Sequence, residues 1–325
     1  MRVLQIGNVG QNSSEYSTEN DLRRTLESMA CDVLPLHERG LGWAALGQAL
    51  DRHHPDWCLW TTTPSWSLAP EVARTFLATC RARAIPVVGL HLDLWRGLRE
   101  RHSGFNSHPY FGLDYLLTPD GSPAAELEWK RRGVNHVWSP PGILEASCYL
   151  APADQRQAHD VIFVGALGYH EEHPRRQLLE WLAYRYGLRF KLYEHSSAMR
   201  GHRLNVLYAS ARVVAGDSCF AGRPGWEGYW SDRLPETLGR GGRLVFPQVV
   251  DLPADLPCRT YRAGDFDDLG EKIEDALTTS DTEAHAERLS GVAWALAGHT
   301  YRHRVEAIIA RLRADGALVT PEAAP

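Results

Sequence analysis

Residues 160–165 read DVIFVG, an apolar run of strand length that ends in a glycine. The start of the chain has the same pattern, because LQIG at residues 4–7 is again an apolar strand followed by glycine. After each run, the sequence alternates between apolar segments of strand length and segments of helix length. Continuous apolar strands separated by helices indicate a parallel sheet that helices cover on both faces. The two similar starts therefore predict two α/β domains in one chain.

The alternation places each predicted element. In the first half we expect strands at 3–6, 33–36, 57–60, 86–90 and 115–117, and helices at 18–29, 42–51, 70–83 and 124–132. In the second half we expect strands at 160–165, 190–193, 212–215 and 244–246, and helices at 175–186, 203–210 and 232–239. Helical segments are also expected at 267–277 and 283–313.

Proline-rich sequence around residues 139–142 and 151–152 separates the two patterns. With 325 residues, the chain is long enough for two domains of roughly 150 residues each. We therefore predict an α/β protein with domains at 1–150 and 151–325, two Rossmann-like domains facing each other across a cleft. Ligands of such sheets bind at the carboxyl ends of the strands.

The composition is that of a soluble globular protein, with 44% hydrophobic and 23% charged residues. The formal net charge of −5 argues against a broadly basic surface and tight unspecific nucleic-acid binding, but it does not exclude a local basic cleft. Six scattered cysteines without a C-x-x-C pair are typical of reduced core residues. Because neither a signal peptide nor an apolar run of about 20 residues is found, we expect a cytoplasmic protein without membrane attachment.

Residues 231–247 read SDRLPETLGRGGRLVFP, a polar loop, a short helix, a glycine stop and a buried strand. The helix is expected to begin near Ser231 or Asp232. Unpaired N–H groups at a helix start favour an anion such as a diphosphate. Arg233 adds a charge suited to phosphate oxygens, and Glu236 can accept hydrogen bonds from ribose or sugar hydroxyls. The alternative is an ordinary amphipathic helix with a solvated charge cluster.

Several segments together resemble the GT-B glycosyltransferases, in particular the CgeB (spore-maturation) class, which includes bacteriophage-encoded relatives. The segments of the second half are DVIFVG at 160–165, LNVLYASARV at 204–213, SDR at 231–233 with Glu236 and Gly241, and HTYRHR at 299–304. Those of the first half are Gly7-Asn8, STEN at 17–20 and LTPDG at 117–121. The likeness covers most of the chain and is strongest over residues 160–250.

The resemblance implies a glycosyltransferase, either a hexosyl- or a pentosyltransferase, that uses neither a metal nor another cofactor. Domain 151–325 would bind a UDP- or GDP-type nucleotide sugar, domain 1–150 would present the acceptor, and the last helix would pack back on domain 1–150. Glu236 corresponds to the second Glu of a pair that holds the ribose. The first Glu is expected at position 228, which is Gly228, so that Glu227 lies one position off.

Glycosyl transfer needs charge that stabilises the leaving diphosphate, exact placement of the anomeric carbon and a route for the acceptor proton. The candidates for the first of these needs are basic groups. Besides Arg233 and the backbone around Ser231, the candidates are Arg200 and Arg203, which precede a predicted helix and are otherwise solvated surface charges. Gly165 would allow the sugar diphosphate to approach the backbone, or would only form a tight turn.

A base for the acceptor proton is expected after the strand at 86–90. His91 and Asp93 alternate there and can point to one side. Asp93 as the base implies inversion of the anomeric centre, with His91 orienting the acceptor or the sugar; alternatively, Asp93 caps the next helix. Gly10, Asn12 and Glu19 are further candidates on the acceptor or donor-phosphate side.

The acceptor is open: a hydroxymethylated base in phage DNA, a protein, a glycan or a small molecule. Basic clusters at 96–101 and 130–132 would suit DNA. Two other functions are compatible with the pattern, a nucleotide-sugar-binding module and a sugar-nucleotide epimerase or hydrolase. The D-x-D spacing at 265–267 can hold a metal in other transferases, but its place before a helix favours capping. The oligomeric state is likewise open.

Overall fold

A computed structural model describes residues 1–9, 15–62, 68–91, 108–165, 175–194, 199–219, 221–222, 225 and 228–318. The chain forms two compact units. The first unit comprises Met1–Pro140 and the segment that begins at Tyr301, and the second comprises Pro141–Thr300.

Each unit is built on a parallel sheet. The strands of the first are β1 (Arg2–Gly7), β2 (Asp32–His37), β3 (Trp57–Thr62), β4 (Val87–His91), β5 (Tyr115–Thr118) and β6 (His136–Trp138). Those of the second are β7 (Val161–Val164), β8 (Phe190–Tyr193), β9 (Val213–Ala215), β10 (Leu244–Pro247) and β11 (Arg259–Tyr261).

The two sheets share one strand order. The first runs β2-β1-β3-β4-β5-β6, and the second, read from its other edge, runs β8-β7-β9-β10-β11. All strand pairs are parallel. In each sheet the first strand therefore lies between the second and the third, so the direction of winding reverses there. Open α/β sheets bind ligands at this switch point, outside the carboxyl ends of the strands.

Helices connect the strands. They are α1 (Thr18–Ser28), α2 (Trp43–His53), α3 (Pro70–Ala82), α4 (Pro123–Arg131), α5 (Arg175–Tyr186), α6 (His202–Ser210), α7 (Arg233–Gly239), α8 (Phe266–Thr278), α9 (Asp281–Gly298) and α10 (Tyr301–Ala314). Serine side chains fix several starts: Ser17 accepts the Asn20 N–H at α1, and Ser280 forms a capping box with Glu283 at α9. Within the described part of the chain, no helix is long and apolar enough to cross a membrane.

The core explains the continuous apolar strands. In the second sheet, Ile162 and Val214 pack into one buried cluster, while Phe163 and Val213 pack into another. Because successive side chains point to opposite faces, a strand covered on both faces is apolar at every position. This arrangement confirms the predicted α/β class with two Rossmann-like domains.

Several predicted elements need correction. The short strands β6 and β11 were not expected. The helical segment predicted at 283–313 is two helices, interrupted at His299 and Thr300. There the His299 carbonyl accepts the Ile143 N–H, and Thr300 forms a bridge with Ile143. The last helix, α10, packs with α1 in the first unit, where Arg302 donates to the Ser28 hydroxyl at 3.2 Å.

Candidate functional site

The switch point of the second sheet lies between β7 and β9. Val161 and Val213 are in register, so the two strands end at the same edge. Gly165 directly follows β7, and its N–H donates to the Tyr193 carbonyl at the end of β8. Asp217 follows β9 by two residues. From the fold alone, Gly165 and Asp217 are therefore the positions where a ligand site is expected.

Two arginines share the Asp217 carboxylate at this edge. Arg175, at the start of α5, donates from Nε to Oδ2 at 2.6 Å. Arg233, at the start of α7, places Nη1 2.9 Å from Oδ1, an ion pair whose angle is not that of an aligned hydrogen bond. The exposed side-chain fractions are 6% for Arg175, 3% for Asp217 and 18% for Arg233. Two guanidinium groups thus meet one carboxylate at this edge, and Arg233 is the most accessible member of the cluster.

The Arg233 guanidinium is held in a fixed position. Its Nε donates to the Val164 carbonyl at 3.1 Å, and its Cζ lies 5.2 Å from the centre of the Phe163 ring. The Cζ of Arg175 lies 5.9 Å from the same ring. Burial disfavours the charge on Arg233, but the Asp217 and Asp232 carboxylates outweigh it and hold the pKa of Arg233 above its ordinary value. Arg233 is therefore a preorganised cation.

Gly165 is required by the position of Arg233. A Cβ on Gly165 would lie 2.3 Å from Arg233 Nη2, a distance that side chains do not tolerate. The glycine also has φ +154°, which L-residues rarely adopt. The absent side chain at 165 thus makes room for the guanidinium.

The helix near the cluster begins later than predicted. Helix α7 starts at Arg233 and has only seven residues, with Asp232 before it as an N-cap whose side chain makes no capping hydrogen bond. The Ser231 hydroxyl instead donates to the Asp217 carbonyl at 3.0 Å, so Ser231 fixes the loop that carries Asp217. Positive charge at this edge comes from Arg175 and Arg233 rather than from a long helix dipole.

Glu236 lies one turn into α7. Its Oε2 accepts the Arg240 Nε–H at 2.8 Å, and Arg240 in turn donates to Asn205 Oδ1 at 2.6 Å. The Glu236 side chain is 22% exposed, whereas that of Arg240 is 6% exposed. The carboxylate is therefore anchored by a buried arginine while part of it stays accessible. Arg200 and Arg203 lie at the start of α6, the first half-buried and the second exposed.

The corresponding edge of the first sheet carries acidic groups. Gly7 ends β1, and a Cβ there would lie 3.0 Å from the Thr61 carbonyl and 3.5 Å from Glu19 Cγ. Glu19, in the first turn of α1, is 4% exposed, and its backbone carbonyl accepts from Gln5 Nε2 at 2.8 Å. Glu38, just after β2, is 7% exposed and accepts from Trp60 Nε1.

His91 is the last residue of β4, in register with Thr62 and buried. It lies at the carboxyl edge of the first sheet, within the strand that was expected to end one residue earlier. The other candidates of the prediction, Asp93, Gly10, Asn12 and Glu227, lie outside the described residues.

Sequence reasoning missed Arg175 and Asp217. A signal was present for Asp217, because the sequence AGDS at 215–218 places a carboxylate directly after a predicted buried strand. No signal in the sequence pointed to Arg175, since its partner is 42 residues away.

The described part of the chain contains no group of three or more His, Cys, Asp or Glu side chains arranged to hold a metal. The D-x-D segment has a structural role, since Asp265 caps α8 by accepting the Asp268 N–H at 3.0 Å.

Comparison with known proteins agrees with this geometry. Residues 149–310 match the family model described as glycosyl transferase-like, about half of the chain. No curated protein matches the sequence.

Solved structures match over nearly the full length of the chain. An α,α-trehalose 6-phosphate synthase from Burkholderia multivorans has 11% identity and a TM-score of 0.60, with 97% of each chain covered. A glycosyltransferase of avilamycin A biosynthesis has 13% identity and a TM-score of 0.54, covering 98% of this chain and 99% of its own. The lipopolysaccharide outer core galactosyltransferase WaaB has 12% identity and a TM-score of 0.52, covering 96% of this chain and 100% of its own.

At these identities the likeness shows the fold, which is the GT-B fold of glycosyltransferases. Together with the family match over the second unit, it supports sugar transfer as the general activity.

Proposed function

We propose that this protein is a glycosyltransferase that moves a sugar from a nucleoside-diphosphate sugar to a hydroxyl acceptor. The observation that carries the proposal is the Arg175–Asp217–Arg233 cluster at the switch point of the second sheet. A fixed cation at this edge suits a diphosphate, because it stabilises the leaving group without having to reorganise. Asp217 and Arg175 act through Arg233 and are positioning residues.

The reaction breaks the bond between the anomeric carbon and the diphosphate oxygen and forms a bond from that carbon to the acceptor oxygen. Negative charge accumulates on the departing diphosphate, where Arg233 stabilises it. The acceptor proton passes to a base, for which His91 and Asp93 remain the candidates. Glu236 binds the ribose hydroxyls, since its carboxylate is partly exposed and its orientation is fixed by Arg240.

A UDP-type donor is proposed over a GDP-type donor. One structure with the same fold is described as an α,α-trehalose-phosphate synthase (UDP-forming) from Burkholderia vietnamiensis, with 11% identity, a TM-score of 0.60, and 97% of this chain and 99% of that chain covered. Transfer is proposed to be metal-independent, so activity should survive EDTA.

The N-terminal part, residues 1–150, is proposed to bind the acceptor. The likeness to CgeB-class and phage-encoded proteins favours DNA or a protein as acceptor. Lys130, Arg131 and Arg132 give DNA little support, however, because they end α4 and so lie at the edge opposite the carboxyl ends of the strands. Activity on DNA that falls steeply with salt would identify DNA as the acceptor.

A second function, nucleotide-sugar binding or conversion without transfer, is favoured by one observation. Position 228, where the resemblance expects the first Glu of a ribose-binding pair, is a glycine with φ +70°. A left-handed backbone there disfavours any other side chain.

The test incubates the protein with a panel of sugar nucleotides, with and without hydroxymethylated DNA, proteins and glycans, and follows nucleotide release by mass spectrometry. Release only with an acceptor supports the transferase. Release without an acceptor identifies a hydrolase, conversion of the intact donor identifies an epimerase, and binding without either identifies a binding module. Arg233→Ala and Glu236→Ala should abolish transfer. Arg176→Ala, an exposed change on α5, is the matched control and should leave transfer unchanged.

A further inference from the structure

A cavity of about 360 Å³ lies in the second unit, at the edge of the sheet opposite the Arg233 cluster. Arg212, which directly precedes β9, and Arg243, which directly precedes β10, line it. The rest of its wall includes the first turns of α9, with His285 and Arg288. The cavity therefore faces the amino ends of the strands, where the donor site is not expected.

Three guanidinium groups contribute to the wall. Arg243 is almost fully buried and is held by Glu287 at 2.7 Å and by the Ala276 carbonyl at 2.9 Å. Arg212 donates to the Leu277 carbonyl and lies 3.8 Å from Asp160, with half of its side chain exposed. Both groups are fixed before any ligand arrives.

Arg288 differs from the other two in its partners. It donates to the carbonyls of Tyr208 and Gly241 at 2.7 and 2.8 Å, and to that of Ala211. Among the described residues, no carboxylate lies within ion-pair distance of it. Burial and the nearby Arg243 lower the pKa of Arg288 to about 10. Its direct partners are therefore carbonyl dipoles, while the nearby Glu287 favours its charge without forming an ion pair with it.

The carbonyl contacts leave part of Arg288 unused. A guanidinium has five N–H donors, and three of them serve these carbonyls. Helix ends carry only about half an elementary charge, so the carbonyls at the ends of α6 and α7 compensate the cation partially. Asp281 is the one carboxylate in the wall of the cavity among the described residues.

We propose that this cavity binds a phosphate-bearing small molecule through Arg288 and Arg212. A phosphate matches guanidinium donors in geometry, and Arg288 keeps N–H donors that its carbonyl partners do not use. The volume exceeds that of a phosphate alone and falls at the lower end of small-molecule sites. Leu150 and Pro152, which also line the cavity, suit the organic part of the ligand. The site is independent of the proposed transferase reaction.

Calorimetric titration tests the proposal, with inorganic phosphate and glucose 6-phosphate as probes at constant ionic strength. Two rim substitutions should act in opposite directions. Arg212→Gln removes a charged donor and should weaken binding about tenfold. Asp281→Asn removes the like charge and should strengthen binding several-fold. Both residues have exposed side chains, so the variants should fold, which circular dichroism checks; Arg288→Gln should abolish binding.

A third variant separates this cavity from the donor site. Arg233→Gln should leave phosphate affinity at the cavity unchanged. The proposal is overturned if no saturable binding is found, or if Arg233→Gln abolishes binding while Arg212→Gln does not. Glucose 6-phosphate should bind more tightly than inorganic phosphate; equal affinity would contradict an organic ligand.

Discussion

The two sheets have the same strand order but differ in the charged groups at their switch points. In the first sheet, Gly7 ends the first strand beside the buried Glu19. In the second, Gly165 follows the first strand beside a cluster of two arginines, Arg175 and Arg233, that share Asp217. The shared topology thus brings equivalent strand ends together in each unit, whereas a few side chains decide which charged groups lie there.

The largest effect should come from removing the shared carboxylate of the second unit. Asp217→Asn removes the carboxylate that pairs with both Arg175 and Arg233. Breaking a buried pair in this way typically costs about 3–5 kcal/mol of unfolding free energy. Denaturant titration measures it. Asp154→Asn, which breaks an exposed pair with Arg156, is the control and should leave stability unchanged; equal stability of the two variants would show that the cluster is not held by its charges.

Gly165 and Gly7 occupy equivalent positions in the two units, and replacing each with alanine should separate an effect on donor affinity from an effect on stability. Gly165→Ala displaces the Arg233 guanidinium, so donor affinity should fall about tenfold or more, as for a lost charged hydrogen bond. Gly7→Ala instead forces the Thr61 backbone to shift, which should cost about 1–3 kcal/mol of stability. Its donor affinity should stay within about twofold. Calorimetry with UDP-sugars measures the donor affinity of both variants. Similar losses of affinity would refute the assignment of the donor to the second unit.

Neutralising the acid of the first unit should change turnover and not donor binding. Glu19→Gln should lower kcat/KM for the acceptor about tenfold, if the buried carboxylate acts on the acceptor side. Steady-state kinetics at saturating donor measure this, with Glu27→Gln on the exposed face of the same helix as control. A weakened donor affinity in Glu19→Gln would be the contrary result.

The smallest expected effect is an acid sensitivity of the first unit. His108 Nδ1 accepts the Tyr110 N–H, while Nε2 lies 3.3 Å from the Leu68 carbonyl, contacts that require a neutral ring. Burial lowers the pKa of His108 below 6.5. The folded state therefore binds this proton more weakly than the unfolded state, and stability present above pH 6.5 declines as pH falls.

The loss should be under about 1 kcal/mol, since the hydrogen bond to the Leu68 carbonyl opposes the effect of burial on the pKa of His108. Denaturant titrations at pH 7.5 and 5.5 measure it. His108→Asn keeps an acceptor for the Tyr110 N–H but does not titrate near pH 6, so it should flatten the difference. An unchanged pH dependence in this variant would exclude His108 as the cause.

Most of the fold was predictable because each long strand contains a mostly apolar run. The strands that were missed, β6 and β11, have only three residues each and include polar side chains, whereas the equally short β9, which was predicted, reads VVA. The break between α9 and α10 was missed because it depends on tertiary contacts of Ile143 with His299 and Thr300, more than 150 residues away in sequence.

The site was predictable only where a residue acts locally. Arg233 follows from its loop, and Gly165 from its place at a strand end. The pairing of Arg175 with Asp217 depends on how β7, β9 and α5 pack, which local sequence does not encode. For the same reason the prediction assigned phosphate binding to a helix start, whereas the charge comes from residues that the fold brings together.

Hydrogen–deuterium exchange with and without a UDP-sugar tests the central claim most directly. If the donor lies at the switch point of the second sheet, exchange should slow in peptides covering 161–165, 213–219 and 231–239. Peptides covering 2–9 should be unaffected, and Gly165→Ala should abolish the protection. Protection confined to the first unit, or absent at saturating donor, would contradict it.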